Sequence, residues 1–177
     1  MKLTELAIAG AYTIDLEKRE DDRGFFARMF CLEEFDKQGI EFSLVQMNNS
    51  ASLKKGTVRG LHYQKAPYEE AKLFRCINGR AFAVIVDLRK DSHSFKKWVG
   101  VELTPDNRTQ LFMPKGCAAG YMALEDNTEM IYGVNTKYEP SAEQGLRWND
   151  AAFNIDWPIK DNVIVSDKDA QAPDFIS

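Results

Sequence analysis

Histidine is scarce in this sequence, with only His62 and His93 among 177 residues. Metal sites in small β-barrels usually combine two or three histidines with a carboxylate. His62 stands in the stretch RGLHYQ with no second histidine near it, and His93 lies in the polar turn DSHSF. The scarcity therefore predicts that the chain holds no catalytic metal.

Cysteine is also rare, and Cys31, Cys76 and Cys117 lie too far apart in sequence for a CxxC pair. Three scattered cysteines do not make the disulfide framework of a small secreted domain. Thiolate ligands or nucleophiles need partners at defined spacings, and none is visible. We expect the three thiols to fill the core of a protein from a reducing cytoplasm.

Long apolar runs and a strong charge of one sign are both missing. The net charge is -4, which argues against a surface for nucleic acid, so any anionic ligand has to meet a local cluster of positive charge. No apolar run is long enough to cross a bilayer, and the stretch MKLTELAIAGAYTIDL carries Thr4 and Glu5 where a signal peptide is apolar. We expect a cytoplasmic protein, with one first strand in that stretch.

A β pattern fills a chain whose length suits one domain, residues 1–177. A chain of this length buries roughly 70% of the surface that its unfolded form exposes. Between residues 40 and 135, short runs rich in Val, Ile, Phe and Tyr alternate with turn signals, as in sandwiches and barrels. CLEEFDKQG, with Gly39 as its C-cap, predicts one short helix, and SDKDAQAPDF predicts a capped turn.

Several strands can be placed from their alternation. AKLFRCINGRAFAVIVDLR predicts a hairpin with a type I′ turn at Asn78 and Gly79, and Lys72, Phe74 and Cys76 share one face of its first strand. QLFMPKGCAAGYMAL reads as strand, turn and strand, and TEMIYGVNTKY as a strand with Tyr132 among apolar neighbours.

His62 is the candidate for chemistry. A lone histidine in a strand is most often a structural residue, but an imidazole with a pKa near 6.5 is also the side chain best suited to moving protons at neutral pH. Strand alternation places His62 and Arg59 on opposite faces. The two share a pocket only if Gly60 marks a bulge, which is what we predict.

The ordered motifs of the chain resemble one enzyme family. QMNNSASLKKGTVRGLHYQ, AKLFRC, VDLRKDS, SFKKWVG, PKGCAAGY, GLRWND and SDKD, spread from about Asp21 to Asp169, are similar to the motifs of the dTDP-4-dehydrorhamnose 3,5-epimerases, the RmlC-type sugar-nucleotide epimerases. The resemblance implies a double-stranded β-helix, that is, a cupin-like jelly roll. It also implies a homodimer that exchanges strands, and an isomerase that needs neither metal nor cofactor.

The resemblance also implies roles for individual residues. It places the family's base on His62, the carboxylate that orients the base on Asp169, the enolate-stabilising lysine on Lys72 and the tyrosine acid on Tyr132. Contacts to the nucleotide, the phosphates or the sugar fall on Arg23, Phe26, Gln46, Asn48, Arg59 and Tyr138.

The implied reaction suits these residue types. In a 4-keto sugar the hydrogens on C3 and C5 are both adjacent to the ketone, so removing either one gives an enolate with its charge on the C4 oxygen. A buried ammonium stabilises that oxyanion. A phenol with a pKa near 10 still holds a proton to return from the opposite face.

Two positions depart from the family pattern. Arg28 stands where the family has a glutamate that accepts a hydrogen bond from thymine N3, and arginine only donates. Arg28 thus indicates either another base, cytosine or guanine, or a side chain that points elsewhere. Ala119 replaces a histidine in a GFAHGF-like string, so one contact in the cleft is missing and a bulkier substituent has room.

Three alternatives to a 3,5-epimerase stay open at this point. The first inverts one centre, C3 or C5, of a CDP- or GDP-linked 4-keto sugar. The second is a sugar-nucleotide binding module without catalysis, which the complete set of four proton-transfer residues disfavours. The third is a metal-dependent oxygenase, which stoichiometric iron in the purified protein would reveal.

Overall fold

The computed structural model describes residues 1–176, and most of its regular structure is β-strand. The strands are β1 (Lys2–Glu5), β2 (Tyr12–Asp15), β3 (Arg19–Asp21), β4 (Gly24–Phe26), β5 (Gln46–Ser52), β6 (Thr57–Gln64), β7 (Lys72–Asn78), β8 (Ala81–Asp87), β9 (Trp98–Leu103), β10 (Gln110–Met113), β11 (Cys117–Ala123), β12 (Thr128–Val134), β13 (Glu143–Gly145) and β14 (Ile164–Val165). The helices are α1 (Leu32–Lys37) and α2 (Asp167–Ala170). This composition confirms the prediction of a mainly β fold with short peripheral helices.

Two antiparallel sheets form the body of the fold. Sheet I has the strand order β1-β2-β10-β7-β12-β5, and sheet II has the order β13-β6-β11-β8-β9, with β14 pairing alongside β6. The strands β3 and β4 form a separate two-stranded sheet. Successive strands of the chain alternate between sheets I and II from β5 to β8 and from β10 to β12. The architecture is a jelly roll, as predicted.

The core lies between the two sheets. Phe74, Leu111 and Met130 of sheet I pack with Ile85 and Ala119 of sheet II in one buried cluster. The outer face of sheet I is covered in part by α1, through a second cluster that includes Phe35 and Phe112. The alternation of each strand therefore places one row of side chains between the sheets, and the candidate site uses the same row.

The predicted hairpin between β7 and β8 is wrong, although both strands exist. β7 pairs with β10 and β12 in sheet I, whereas β8 pairs with β9 and β11 in sheet II. Gly79 has a positive φ of 68°, but Asn78 is not among the residues with positive φ, so the turn is not type I′. An Asn-Gly turn fixes where the chain reverses, but the burial of β8 against both neighbours decides which sheet it joins.

The ends of the chain differ in detail from prediction. The single first strand is wrong, because β1 and β2 form a hairpin in which Leu6 donates a backbone hydrogen bond to Ala11. The predicted helix is α1, but its C-cap is Gln38, and Gly39 is the next residue, with a φ of 71°. The capped turn near the end is confirmed as α2, with Ser166 as N-cap. No helix within residues 1–176 is long and apolar enough to span a membrane.

The thiols are free. Cys76 and Cys117 are buried in the core cluster, as predicted, whereas Cys31 is only partly buried at the start of α1. Burial raises the pKa of Cys76 to about 11 and that of Cys117 to about 12. Both thiols therefore stay protonated at neutral pH and act as small apolar residues.

Candidate active site

A β-bulge in β6 brings Arg59 and His62 onto one face. The register with β11 pairs His62 with Ala119 and Arg59 with Tyr121, so two residues of β6, Gly60 and Leu61, stand opposite one residue of β11. The extra residue reverses the alternation between Arg59 and His62. The predicted bulge at Gly60 is thereby confirmed.

Gly60 has a backbone that other residues rarely adopt. Its φ is 126°, and a Cβ at this position would lie 2.6 Å from Gly120 Cα and 2.9 Å from the Ala119 carbonyl oxygen. A side chain of any size would push β6 and β11 apart. The close contact between two glycine backbones therefore keeps the bulge, and with it the orientation of His62, in place.

We expect Gly60→Ala to lower the free energy of unfolding by about 2 kcal/mol or more, because it combines a strained φ with a steric clash. Gly24→Ala is the matched control, since Gly24 has a φ of 125° and no atom within 4 Å of an added Cβ. Urea denaturation at one fixed protein concentration measures both variants. Equal losses for the two would contradict the role of the β6–β11 contact.

Asp169 lies behind His62, supplied by the C-terminal segment. β14 pairs in parallel with β6, and α2 follows directly, with the Ser166 hydroxyl accepting a hydrogen bond from the Asp169 N–H. His62 Nε2 and Asp169 Oδ1 are 2.6 Å apart, and Asp169 Oδ2 accepts from the Gly60 N–H at 3.2 Å. Since a carboxylate only accepts, Nε2 carries the proton, and Nδ1 is the nitrogen left free to take another.

The environment of Asp169 keeps it ionised. Burial alone raises the pKa of the carboxyl, but the hydrogen bond from His62, the electrostatic attraction of that ring and the Gly60 N–H together hold the pKa below its usual range. The carboxylate is therefore negative at neutral pH. It fixes the tautomer of His62 and stabilises the imidazolium that forms when the ring takes a proton.

Sheet I supplies the residues that face His62. The register aligns Lys72 with Val134 and Gln46, and Phe74 with Tyr132 and Asn48, across β7, β12 and β5. Alternation therefore points Gln46 and Asn48 to the same side as Lys72 and Tyr132. The Gln46 amide donates to the Asn48 side-chain oxygen at 2.8 Å.

These residues border one cleft with two lobes. His62, Lys72 and Tyr132 line both lobes, which makes the three side chains the junction between them. The Arg59 lobe, about 470 Å³, is further lined by Ser50, Thr57, Val58, Arg59, Phe74, Ala119, Gly120, Tyr121, Ile164, Val165, Ser166, Lys168 and Asp169. The Tyr138 lobe, about 270 Å³, is further lined by Gln46, Asn48, Tyr63, Gln64, Glu70, Val134, Tyr138 and Glu143.

Most cations of the cleft have a carboxylate partner. Lys72 Nζ lies 2.7 Å from Glu70 Oε1, and Lys168 Nζ lies 2.6 Å from Glu143 Oε2. Arg59 instead donates to the Ser52 hydroxyl and the Ala51 carbonyl, and no residue within 1–176 gives it a carboxylate. Arg59 is therefore the cleft cation that is free to bind an anionic ligand.

Tyr132 keeps its proton. Burial, followed by the negative charge of Glu70, raises the pKa of this phenol above its ordinary value of 10. The ring packs on Phe74, with centroids 5.6 Å apart. The phenol is therefore protonated at neutral pH, and its ring is fixed by packing. It lies on sheet I, whereas His62 lies on sheet II.

Ala119 lines the Arg59 lobe directly beside His62, and a hydroxyl cluster lies near it. The Tyr121 hydroxyl is 2.8 Å from the Ser50 hydroxyl and 3.2 Å from that of Ser52. Ala119 contributes only a methyl group to this wall. Tyr138, which is 53% exposed, donates to Glu143 at the edge of the other lobe.

Three predicted substrate contacts lie outside the cleft of their own chain. Arg23 pairs with Asp21, Phe26 is 68% exposed on β4, and Arg28 donates to Glu34 at 2.7 Å. None of the three lines either lobe. Arg28 thus points at an acidic side chain of its own chain, which was one of the two expectations for it.

Sequence reasoning did not select Ser50, Glu70, Tyr121, Glu143 or Lys168. Ser50 could have been predicted from the sequence, because it continues the alternation of Gln46 and Asn48 along β5. Glu70, Glu143 and Lys168 lie at the ends of strands or in α2, where a charged residue is usually solvated. Within residues 1–176, no three His, Cys, Asp or Glu side chains are grouped as a metal site requires.

The chain is similar in sequence to known proteins of one family. The sequence profile of the family described as dTDP-4-dehydrorhamnose 3,5-epimerase matches residues 5–177. The Shigella flexneri dTDP-4-dehydrorhamnose 3,5-epimerase is 44% identical over 157 residues, which cover 88% of this chain and 86% of that one.

Solved structures extend the similarity to the fold. The Bacillus anthracis dTDP-4-dehydrorhamnose 3,5-epimerase, solved with TDP and PPi bound, superposes with a TM-score of 0.93 at 40% identity, covering 98% of this chain and 99% of that one. The Legionella pneumophila RmlC, in complex with dTDP-4-keto-L-rhamnose, gives a TM-score of 0.91 at 35% identity, covering 98% and 92%.

Proposed function

The chain belongs to the dTDP-4-dehydrorhamnose 3,5-epimerase family, and from this we propose that it inverts C3 and C5 of a dTDP-linked 4-keto-6-deoxyhexose. The observation that carries the proposal is the junction of the two lobes, where His62 of sheet II meets Lys72 and Tyr132 of sheet I. Inversion at a carbon requires proton removal from one face and proton return to the other. A base and an acid on opposite sheets meet that requirement.

His62 is proposed as the base. Its Nδ1 takes the proton from C3 or C5, while Asp169 holds Nε2 and stabilises the ring once it is charged. The carbon acid is weak, so the enolate must be stabilised as it forms. Lys72, whose side chain is only 10% exposed, is the cation proposed to face the C4 oxygen.

Tyr132 is proposed to return the proton from the opposite face. Its raised pKa keeps the phenol protonated until the enolate is formed. Afterwards the imidazolium of His62 releases its proton to solvent and the phenolate takes one from solvent, so both groups are restored. The cycle changes no oxidation state and breaks only C–H bonds. We therefore propose that the reaction needs no cofactor.

Arg59 is proposed to bind the diphosphate, because it is the cleft cation without a carboxylate partner among the described residues. Gln46, Asn48 and Tyr138 line the other lobe and are proposed as contacts to the nucleotide or the sugar. Ala119 leaves space beside His62 for the sugar ring. The relatives named above support thymine as the base, and the pairing of Arg28 with Glu34 supports the same choice.

The β3–β4 hairpin is proposed to complete the cleft of a second copy in a homodimer. Within residues 1–176 the hairpin pairs with no other strand, it carries Arg23 and Phe26, and Arg28 follows β4 by two residues. Phe26, Met47 and Leu53 are 68%, 59% and 70% exposed, and β5 is an unpaired edge of sheet I. Apolar side chains beside a free strand edge are typical of a surface that another chain covers.

We expect the protein to have twice its chain mass of 20.1 kDa in light scattering at micromolar concentration. Phe26→Glu places a charge in the proposed interface and is expected to shift the mass to that of one chain and to reduce activity. Ile176→Glu, a matched change at a residue that is 89% exposed, leaves the dimer intact. If the wild type is monomeric and fully active, the hairpin does not complete the cleft of a second copy and this part of the proposal is wrong.

The cellular location and the domain boundaries are also part of the proposal. Free thiols at all three cysteines are compatible with a reducing cytoplasm. The described strands share one pair of sheets, which supports a single domain over residues 1–177. Neither nucleic acid nor a membrane is proposed as a partner.

Incubation with dTDP-, CDP- and GDP-linked 4-keto-6-deoxyhexoses in D₂O, followed by NMR, tests the function. The expected result is inversion and deuterium at both C3 and C5 of the dTDP sugar, and much slower reaction of the other two. Deuterium at one carbon alone would make the protein a single-centre epimerase. Binding of the dTDP sugar without any exchange would leave only a binding module.

A further inference from the structure

Glu70 is a carboxylate inside the cleft that has no part in the mechanism above. Its Oε1 lies 2.7 Å from Lys72 Nζ, and the two side chains are only 11% and 10% exposed. Glu70 lines the Tyr138 lobe together with Lys72 and Tyr132. It therefore touches the junction at which the proposed chemistry occurs.

The backbone around Glu70 is held on both sides. The Ala71 N–H donates to the Asn135 side-chain oxygen at 2.7 Å, and the Thr136 hydroxyl donates to the Glu69 carbonyl at 2.9 Å. The Gln64 amide donates to the Tyr68 carbonyl at 2.9 Å. The segment that carries Glu70 is therefore anchored to β6 and to the loop after β12, and its carboxylate has a defined position.

A buried ammonium without a partner is costly, and it either leaves its position or loses its proton. An ion pair with a fixed carboxylate holds the Lys72 nitrogen in place. A lysine ammonium has three donors, so pairing with Glu70 still leaves donors for a ketone oxygen. We propose that Glu70 is a positioning residue that holds the Lys72 ammonium aimed at the C4 oxygen of the substrate, an inference that rests on the proposed function.

Glu70 also affects the pKa of Tyr132, the proposed acid. After burial, its negative charge is the next cause that raises the pKa of Tyr132. Removing the charge lowers this pKa, so the phenol of a Glu70→Gln variant loses its proton at a lower pH than in the wild type. The other titratable groups that act on the phenol are Tyr121, Arg59 and Glu143.

The test compares Glu70→Gln, Glu70→Asp and Glu69→Gln. Glutamine keeps the shape and removes the charge, aspartate restores the charge on a shorter side chain, and Glu69 is the neighbouring carboxylate that lines neither lobe. We expect kcat of Glu70→Gln to fall about 10- to 100-fold with KM within about twofold, because the loss falls on the transition state. The alkaline limb of its pH profile moves to lower pH, Glu70→Asp recovers part of kcat, and Glu69→Gln matches the wild type.

A second measurement does not depend on turnover. Acetylation of Lys72 by acetic anhydride, followed by mass spectrometry, is expected to be several-fold faster in Glu70→Gln than in wild type or Glu69→Gln. If Glu70→Gln has the same kcat, pH profile and acetylation rate as the wild type, the proposed role of Glu70 is wrong. If the wild type does not turn over the dTDP sugar, the proposed function fails, and the acetylation rates alone then decide whether Glu70 holds Lys72.

Discussion

Replacing His62 by asparagine is expected to abolish deuterium exchange at both C3 and C5 of the dTDP-linked 4-keto sugar. Asparagine preserves much of the size of the ring and can still donate to Asp169, but it cannot take a proton. Loss of a general base typically costs 10²- to 10⁴-fold in rate, and we expect about 10³-fold or more here, because no other histidine within residues 1–176 lines either lobe.

NMR in D₂O measures the exchange directly. His93→Asn is the matched control, because His93 lines neither lobe, and it should exchange deuterium like the wild type. Binding of dTDP to the His62 variant, measured by calorimetry, shows that the cleft is intact. Exchange at the wild-type rate in His62→Asn would remove this residue from the base role.

Tyr132→Phe separates proton removal from inversion. The variant keeps His62 and Lys72, so the enolate still forms and deuterium still enters from the His62 side. Without the phenol, reprotonation from the opposite face is lost, and we expect inversion to slow by about 10²- to 10³-fold. The product is then deuterated substrate with its original configuration.

The pH dependence of the wild type supports the same assignment. Burial and the charge of Glu70 raise the pKa of Tyr132, so the protonated acid persists through neutral and mildly alkaline pH and is lost only above that raised value. Tyr12→Phe, at a tyrosine that lines neither lobe, is the control and should invert normally. Normal inversion by Tyr132→Phe would show that another group supplies the proton.

The alternation of side chains along single strands allowed much of the site to be predicted from the sequence. Lys72 with Phe74, and Tyr132 with its apolar neighbours, follow from a period of two, and the structure keeps both rows between the sheets. The bulge at Gly60 was predictable because Arg59 and His62 cannot otherwise share a face. These features depend on local backbone geometry, which a sequence encodes directly.

The pairing between strands that are distant in sequence was harder to predict. The Asn78–Gly79 turn correctly marks the end of β7, but nothing local indicates that β7 and β8 enter different sheets. Three predicted contacts lie on the β3–β4 hairpin or just after it, and the described chain does not bring them to its own cleft. Glu70 was missed because a charged residue just before a strand is ordinarily solvated, whereas here it is buried against Lys72. Lys168 was missed because a lysine in a short helix is ordinarily solvated, and it remains 65% exposed while it pairs with Glu143.

The contact between His62 and Asp169 joins residues that are 107 positions apart. The imidazole belongs to β6 of sheet II, whereas the carboxylate arrives with β14 and α2, the last strand and the last helix of the described residues. On the proposed mechanism, a fragment that ends before α2 has its base but not the anion that orients it. The catalytic pair is thus complete only once these two elements have docked on β6.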